Sequence, residues 1–409
     1  MALVMKRLAS GLFFLLTLVV LAYLSQQPAW REHLFTDVLA FYERTSFFEE
    51  HQSFTNMPFN EYQPGALVFL SSMSLPLRLS HTLGFYEKSL KIINLALLLL
   101  IGIVIYSQAK ASGLTLFSLI LLVSGPIILF RFEALVILFT LLSLWQFEKQ
   151  HWLAGWVWLT LGIATKVYPI FLVPLVLIAT HKQAGTKATI KQATIWLLLL
   201  ILSVGFFSLV FRQPLPQMLT SLSFHSQKPL HIESVWAIVP TLTYWVTHGR
   251  PPQHINQGII GLPFSVISTS TINLLKLLSF VMLGALYVKI LRQKKLLASR
   301  ADNWVQVLLL VTVTSFILSP QYLLWWAYLW PLSRWRLTTP FAILVLTILA
   351  LTQYVFPLSY TNLVDHFFAE GTSSFVYWVL TLRNVLLVVL LLSVMKEVFY
   401  LQKISTHKK

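Results

Sequence analysis

A chain of 409 residues that is 57% hydrophobic and only 11% charged, with long apolar runs recurring from Leu8 to Met395, falls outside the soluble globular classes. Its net charge of +16 does not point to nucleic acid, because the basic residues sit in short stretches between apolar runs and form no free basic domain. The lack of cysteine excludes disulfides, thiolate metal sites and a cysteine nucleophile.

In hydrocarbon every backbone N–H and C=O must be satisfied within its own segment, and no alternating β pattern is present, so the apolar runs predict helices. The expected fold is an all-α polytopic membrane protein with about 10–12 transmembrane helices, a single domain over 1–409, and amphipathic or re-entrant helices on the extracytoplasmic side. Lys6 and Arg7 precede the run 8–24, which lacks a small-x-small cleavage site and reads as an uncleaved first span with a cytoplasmic N-terminus.

Residues 25–89 then form the first extracytoplasmic loop. Asp37 lies in "FTDVLAFYERTSFFEE", where Phe35, Val38, Leu39 and Tyr42 are spaced as an apolar stripe and leave Asp37 the alternatives of a site residue or a polar-face residue. Phe47, Phe48, Phe54 and Phe59 are expected to hold this segment on the bilayer, and "NEYQPG" places Glu61 and Tyr62 before a Pro-Gly turn. The run 64–80 is broken by Pro64 and Pro76 and predicts a re-entrant or surface-lying helix.

Further spans are expected at 90–108, 113–130, 134–147, 152–165, 169–181 and 192–211. Arg131 and Glu133 in "ILFRFEALVIL" have no wet neighbours in sequence, which leaves a structural ion pair, a snorkelling arginine or a site open. Lys166 and Tyr168 in "GIATKVYPIF" stand at another span end. The second large outer loop, 212–270, contains "FHSQKPLHIESVWA", with Lys228, His231 and Glu233; His225 and His231 lack the spacing of a helical metal pair, and the stretch reads as a binding loop. The proline-broken run 234–270 predicts re-entrant or surface helices.

The last spans are expected at 271–291, 303–319, 322–334, 339–356 and 375–395, which returns the C-terminus to the cytoplasm. Gln321 and Tyr322 open "SPQYLLWWAYLWPLSRWR", whose tryptophans fit an interfacial aromatic belt. Arg383 and Asn384 lie within a span, where burial against a carboxylate or carbonyl partner is the default. In this threading the cytoplasmic segments are dominated by Lys and Arg while the outer ones are balanced, as the positive-inside rule requires. Asp37, Glu61, Tyr62, Arg131, Glu133, Lys166, Tyr168, His225, His231, Glu233, Gln321 and Tyr322 all fall on the outer side, as a cavity opening there would need.

These stretches, in this order, resemble the GT-C superfamily of multi-spanning glycosyltransferases, and most of all the polyprenyl-phosphate-mannose-dependent α-mannosyltransferases of bacteria and the first mannosyltransferase of GPI-anchor assembly. "TDVLAFYER", "NEYQPGALVFL", "RFEALVILFTLLSLW", "ATKVYPIFLVPL", "KPLHIES" and "SPQYLLWWAYLWPL" carry the likeness across residues 36–332. Glu133 stands where that group has an aspartate, Gln63 and Gly65 replace a proline and a leucine, and Lys228 replaces an arginine. The resemblance implies transfer of a hexose, mannose foremost, from a polyprenyl-phosphate donor to a hydroxyl of a glycolipid, glycan or protein, in the plasma membrane and on its outer face, with inversion.

Such a reaction asks for a carboxylate base, for which Asp37 is the candidate, and for donors that receive the departing phosphate, for which Arg131, Lys166, Lys228 and His231 are candidates. Glu133, Tyr168, Glu233, Gln321 and Tyr322 complete the expected donor side, Tyr322, Trp325 and Trp326 offer stacking faces, and Glu61 and Tyr62 mark the acceptor side. No cofactor is assigned; a divalent cation is compatible with Asp37, Glu61 and Glu133, but their spacing does not demand one. The rival reading is a transporter or lipid-linked sugar flippase, with the same charges lining a pathway.

Overall fold

Helix breaks decide where the polar residues come to lie. The computed structural model describes residues 2–54, 57, 62–211, 228–256, 260–293, 300–372 and 374–407. Among these are fourteen α-helices and a single two-stranded hairpin, an all-α chain. Six helical stretches are long and apolar enough to cross a membrane: Val4–Leu24, Leu83–Phe130, Tyr168–Val210, Thr269–Arg292, Thr339–Leu358 and Phe375–Lys396. The chain is therefore a multi-pass membrane protein. It divides into two units, Met1–Gln227 and Lys228–Lys409. Glu61, Phe59 and His225 lie outside the described residues.

In the N-terminal unit α1 (Ala2–Leu24) packs along α5 (Leu83–Ser124). The expected spans 90–108 and 113–130 are the two arms of α5, parted at Lys110, where φ is 58°. Likewise α8 (Val173–Val210) is parted at Gly185, between the expected spans 169–181 and 192–211. The amphipathic α2 (Pro28–His51) is latched to α5 by Arg31, which grips the buried Glu87 carboxylate at 3.0 and 2.9 Å, while Lys91 meets the same carboxylate at 2.6 Å. A carboxylate shared by two cations is satisfied despite its apolar setting.

The buried face of α2 is Leu34, Val38, Phe41 and Thr45, and Asp37 falls on it three residues after Leu34 and four before Phe41. Of the expected stripe only Val38 lies on this face; Leu39 is exposed. Phe48 and Phe54 stack at 4.8 Å and pack on Phe211 at the end of α8, so they hold the segment to protein. The run 64–80 forms two short helices, α3 (Pro64–Ser72) and α4 (Ser74–Leu79).

In the C-terminal unit, α9 (Ile238–His248) is followed by an extended stretch carrying the hairpin β1 (Ile255–Asn256) and β2 (Ile260–Gly261). Of the helices expected through 234–270 the described residues form α9, and Pro251, Pro252 and Pro263 keep the described residues 250–256 and 260–268 out of a helix. Beyond α10 (Thr269–Arg292), α11 (Arg300–Val313) stops short of the expected 303–319. The expected span 322–334 is a six-residue helix, α12 (Tyr322–Ala327), that breaks into 3-10 turns around Pro331. Trp326, Trp330 and Trp335 are fully buried in it. They are core residues, which corrects the belt reading. The unit closes with α13 (Thr339–Gln353) and α14 (Phe375–His407).

Candidate functional site: a charge cluster beside an apolar groove

The site of the N-terminal unit is assembled by three chain breaks. Helix α5 ends at Ser124 on Gly125, whose φ of 63° admits little but glycine, and a 3-10 turn (Gly125–Phe130) leads to Arg131 in extended geometry. Glu133 then begins α6 (Glu133–Glu148), and α7 (Trp152–Thr165) returns antiparallel to end on Lys166. An acid in the first turn of one helix and a cation at the end of the next each complement a helix dipole, and the hairpin brings them together. Lys166 Nζ is bonded to the buried Glu133 carboxylate.

Arg131 pairs elsewhere. Its Nη2 lies 2.5 Å from Asp37 Oδ2 on α2, so the Arg131–Glu133 pair open to the sequence is not what forms. Residues two apart across an extended-to-helix junction diverge, and each finds a partner on another element. Asp37, Arg131, Glu133 and Lys166 nevertheless act on one another electrostatically as a four-charge cluster. Tyr62 joins it through Arg131, with its ring 5.8 Å from Phe41 and 5.9 Å from Phe132, and the Arg44 guanidinium covers its face at 4.9 Å. Tyr168 is buried within electrostatic reach of Glu133 and beside Thr140.

Desolvation lifts the Asp37 carboxyl above its ordinary 3.8, against the pull of Arg131 and Lys166. A carboxylate in this state is a better proton acceptor than one in water. Asp37 keeps 31% of its side chain exposed, which leaves it reachable.

One residue the sequence reading passed over holds this cluster in place. Asn94, fully buried on α5, donates to the carbonyl of Leu129 at 3.1 Å and to that of Arg131 at 2.8 Å. Its polar side chain inside an apolar run was the available signal.

Next to the charges lies an apolar groove of about 600 Å³ between α3, α6, α7 and the C-terminal arm of α8, lined among others by Phe69, Leu135, Phe139, Leu161, Thr165 and Phe206. Thr165 immediately precedes Lys166, and Leu135 follows Glu133 by two, so the groove and the cluster draw on adjoining residues, though none of the four charged side chains lines the groove. Gly65 makes this approach possible: a Cβ there would lie 2.7 Å from the Ala164 carbonyl carbon and the Thr165 nitrogen. That contact is backbone on backbone and cannot yield as a side chain would. Gly65→Leu, the residue of the resembling group, is expected to lower stability by about 1–3 kcal/mol, read as a fall in Tm. An unchanged Tm would mean that α3 can step back from α7 freely.

The C-terminal unit gathers the remaining candidates around residues 228–237. His231 bridges to Gly261, and Leu262 N–H donates to the Leu230 carbonyl at 2.9 Å, so this stretch lies along the β1–β2 hairpin. His231 N–H donates to the Phe316 carbonyl at 2.9 Å, Ser234 Oγ to Ser315 at 2.7 Å and Trp236 Nε1 to Thr314 at 3.0 Å. The early stop of α11 fits this: the carbonyls of the three residues that follow it are taken by this loop and not by a further helical turn. Gln321 is bonded to Ser319 and Tyr322 stacks on Trp325 at 4.1 Å, in the segment that follows.

Burial pushes the His231 imidazole down to about 3, with Arg383 and Lys228 adding to the effect, so near pH 7 it is neutral and, of the two roles open to it, keeps that of hydrogen-bond donor and not that of cation. One expectation is corrected here. Trp326, edge-on to Trp330 at 6.0 Å and fully buried, presents no stacking face. Lys228 and Glu233 stand with His231 and Arg383 in one electrostatic group. Among the described residues no three acids or histidines are grouped to hold a metal ion. Comparison with protein-family models and with curated proteins finds no match for this chain.

Proposed function

We propose that the chain is a membrane glycosyltransferase that moves a hexose, mannose foremost, from a polyprenyl-phosphate carrier to an acceptor hydroxyl at the extracytoplasmic face of the plasma membrane, with inversion. The observation that carries this reading is a four-charge cluster and an apolar groove that draw on adjoining residues of α6 and α7 within one unit. Such a site is itself amphipathic, and a lipid phosphate has the same division into charged head and apolar tail.

In this reading the acceptor oxygen attacks the anomeric carbon as its proton passes to Asp37, and the bond from that carbon to the phosphate oxygen breaks. The electron pair leaves with the phosphate, whose growing negative charge faces Lys166 and Arg131. A single displacement inverts the centre. Arg131, held by Asn94, also aims Asp37. The stretch 228–237 and Tyr322 serve donor recognition, as the resemblance implies.

Purified protein in lipid nanodiscs should transfer radiolabel from polyprenyl-phosphate-mannose to membrane acceptors. Translocation of the labelled lipid without transfer would replace the enzyme by a flippase. Neither transfer nor translocation with any polyprenyl-phosphate hexose would end both readings.

A further inference from the structure

Arg383 and Asn384 are fully buried in the interior of α14. A guanidinium and a carboxamide inside a membrane helix are costly unless satisfied, so what they bind explains their presence. Both bind the Glu233 carbonyl, and Asn384 the Ser234 carbonyl as well. Arg383 Nη2 donates to the Glu233 carbonyl at 2.9 Å, and Asn384 Nδ2 reaches that carbonyl at 3.2 Å and the Ser234 carbonyl at 3.4 Å. Arg383 Nη1 stands 3.6 Å from a Glu233 carboxylate oxygen, a charge contact longer than a hydrogen bond.

The same turn is held from its other side by the bonds of His231, Ser234 and Trp236 to residues 314–316. Apolar packing alone would bury this loop at lower electrostatic cost. What donors on adjacent carbonyls add is direction: they fix the peptide planes on both sides of the Ser234 α-carbon, the first of which leaves the Glu233 α-carbon, and with Arg383 also facing the carboxylate itself they restrict the line along which the Glu233 side chain leaves.

We propose that Arg383 and Asn384 are positioning residues that clamp the Glu233 and Ser234 carbonyls and thereby aim the Glu233 carboxylate. The kinetic consequence rests on the glycosyl-transfer reading; the clamp itself does not.

The test uses the full chain in nanodiscs and variants Asn384→Ala, Arg383→Lys, Glu233→Gln and the double variant Asn384→Ala/Glu233→Gln. Loss of the amide donor is expected to speed hydrogen exchange at the amides of residues 231–237 by about tenfold, with those of α11 unchanged. Unaltered exchange in 231–237 overturns the clamp. In the transfer assay Asn384→Ala should lower kcat by about tenfold in the wild-type background and hardly at all on top of Glu233→Gln, since a residue acting through Glu233 has nothing left to aim. Losses that multiply in the double variant overturn the positioning role and leave a scaffold contact. Arg383→Lys, which keeps the charge and loses the fork, should match Asn384→Ala; if Arg383→Lys does not fold, the Asn384 series decides alone. Absence of transfer by the wild-type protein removes the enzymatic reading, and the exchange result still settles the clamp.

Discussion

Asp37→Asn is expected to lower sugar transfer by about 10²- to 10⁴-fold, the range of a missing general base, with the protein still folded. Asparagine keeps the shape of the side chain and can accept from Arg131, so α2 retains its seat on Leu34, Val38 and Phe41. What it loses is the ability to take a proton. The same residue sets the acidic limb of the pH profile. Because burial raises the folded-state pKa of Asp37 from 3.8, the ionised form required for catalysis is full well above that raised value and is lost as pH falls through it. The rate of the wild-type protein should therefore decline at a higher pH than an ordinary aspartate would dictate, and the residual rate of Asp37→Asn should not show that limb. Near-normal transfer by the variant, or the same limb in it, would assign the base elsewhere.

The sequence made membrane helices legible because a long apolar run has no alternative in lipid. It also marked Arg131, Glu133 and Lys166, since charges at the ends of such runs need partners. It could not say which partners. Arg131 and Glu133, two apart in sequence, read as a pair, yet the extended backbone at Arg131 and the helix start at Glu133 send them to Asp37 and Lys166. Long-range pairing of this kind has no periodic trace. Asn94 was hidden for a related reason, whereas Asn384 stood out with Arg383 as a group in need of a carbonyl: each clamps two carbonyls of a distant loop, and a single amide inside an apolar run does not say which. The tryptophans of 325–335 misled in the opposite sense, because a belt and a buried aromatic core share one composition.

Lys166→Ala separates a structural ion pair from a working one. The Glu133 carboxylate is only 2% exposed, and removing its lysine leaves a buried charge without that partner, which should cost about 3–5 kcal/mol of stability. Removing both in Glu133→Ala/Lys166→Ala abolishes the stranded charge, and the double variant should regain most of the Tm that the single variant loses. Transfer is expected to behave otherwise. If Lys166 receives the departing phosphate, the double variant remains impaired by about tenfold or more, chiefly as a lowered kcat and kcat/KM for the polyprenyl-phosphate donor with the acceptor KM little changed. Recovery of both Tm and transfer would reduce the pair to a strut between α6 and α7. Recovery of Tm alone would place the Lys166–Glu133 pair on the donor, because at that point stability no longer distinguishes the two proteins and only the missing pair does.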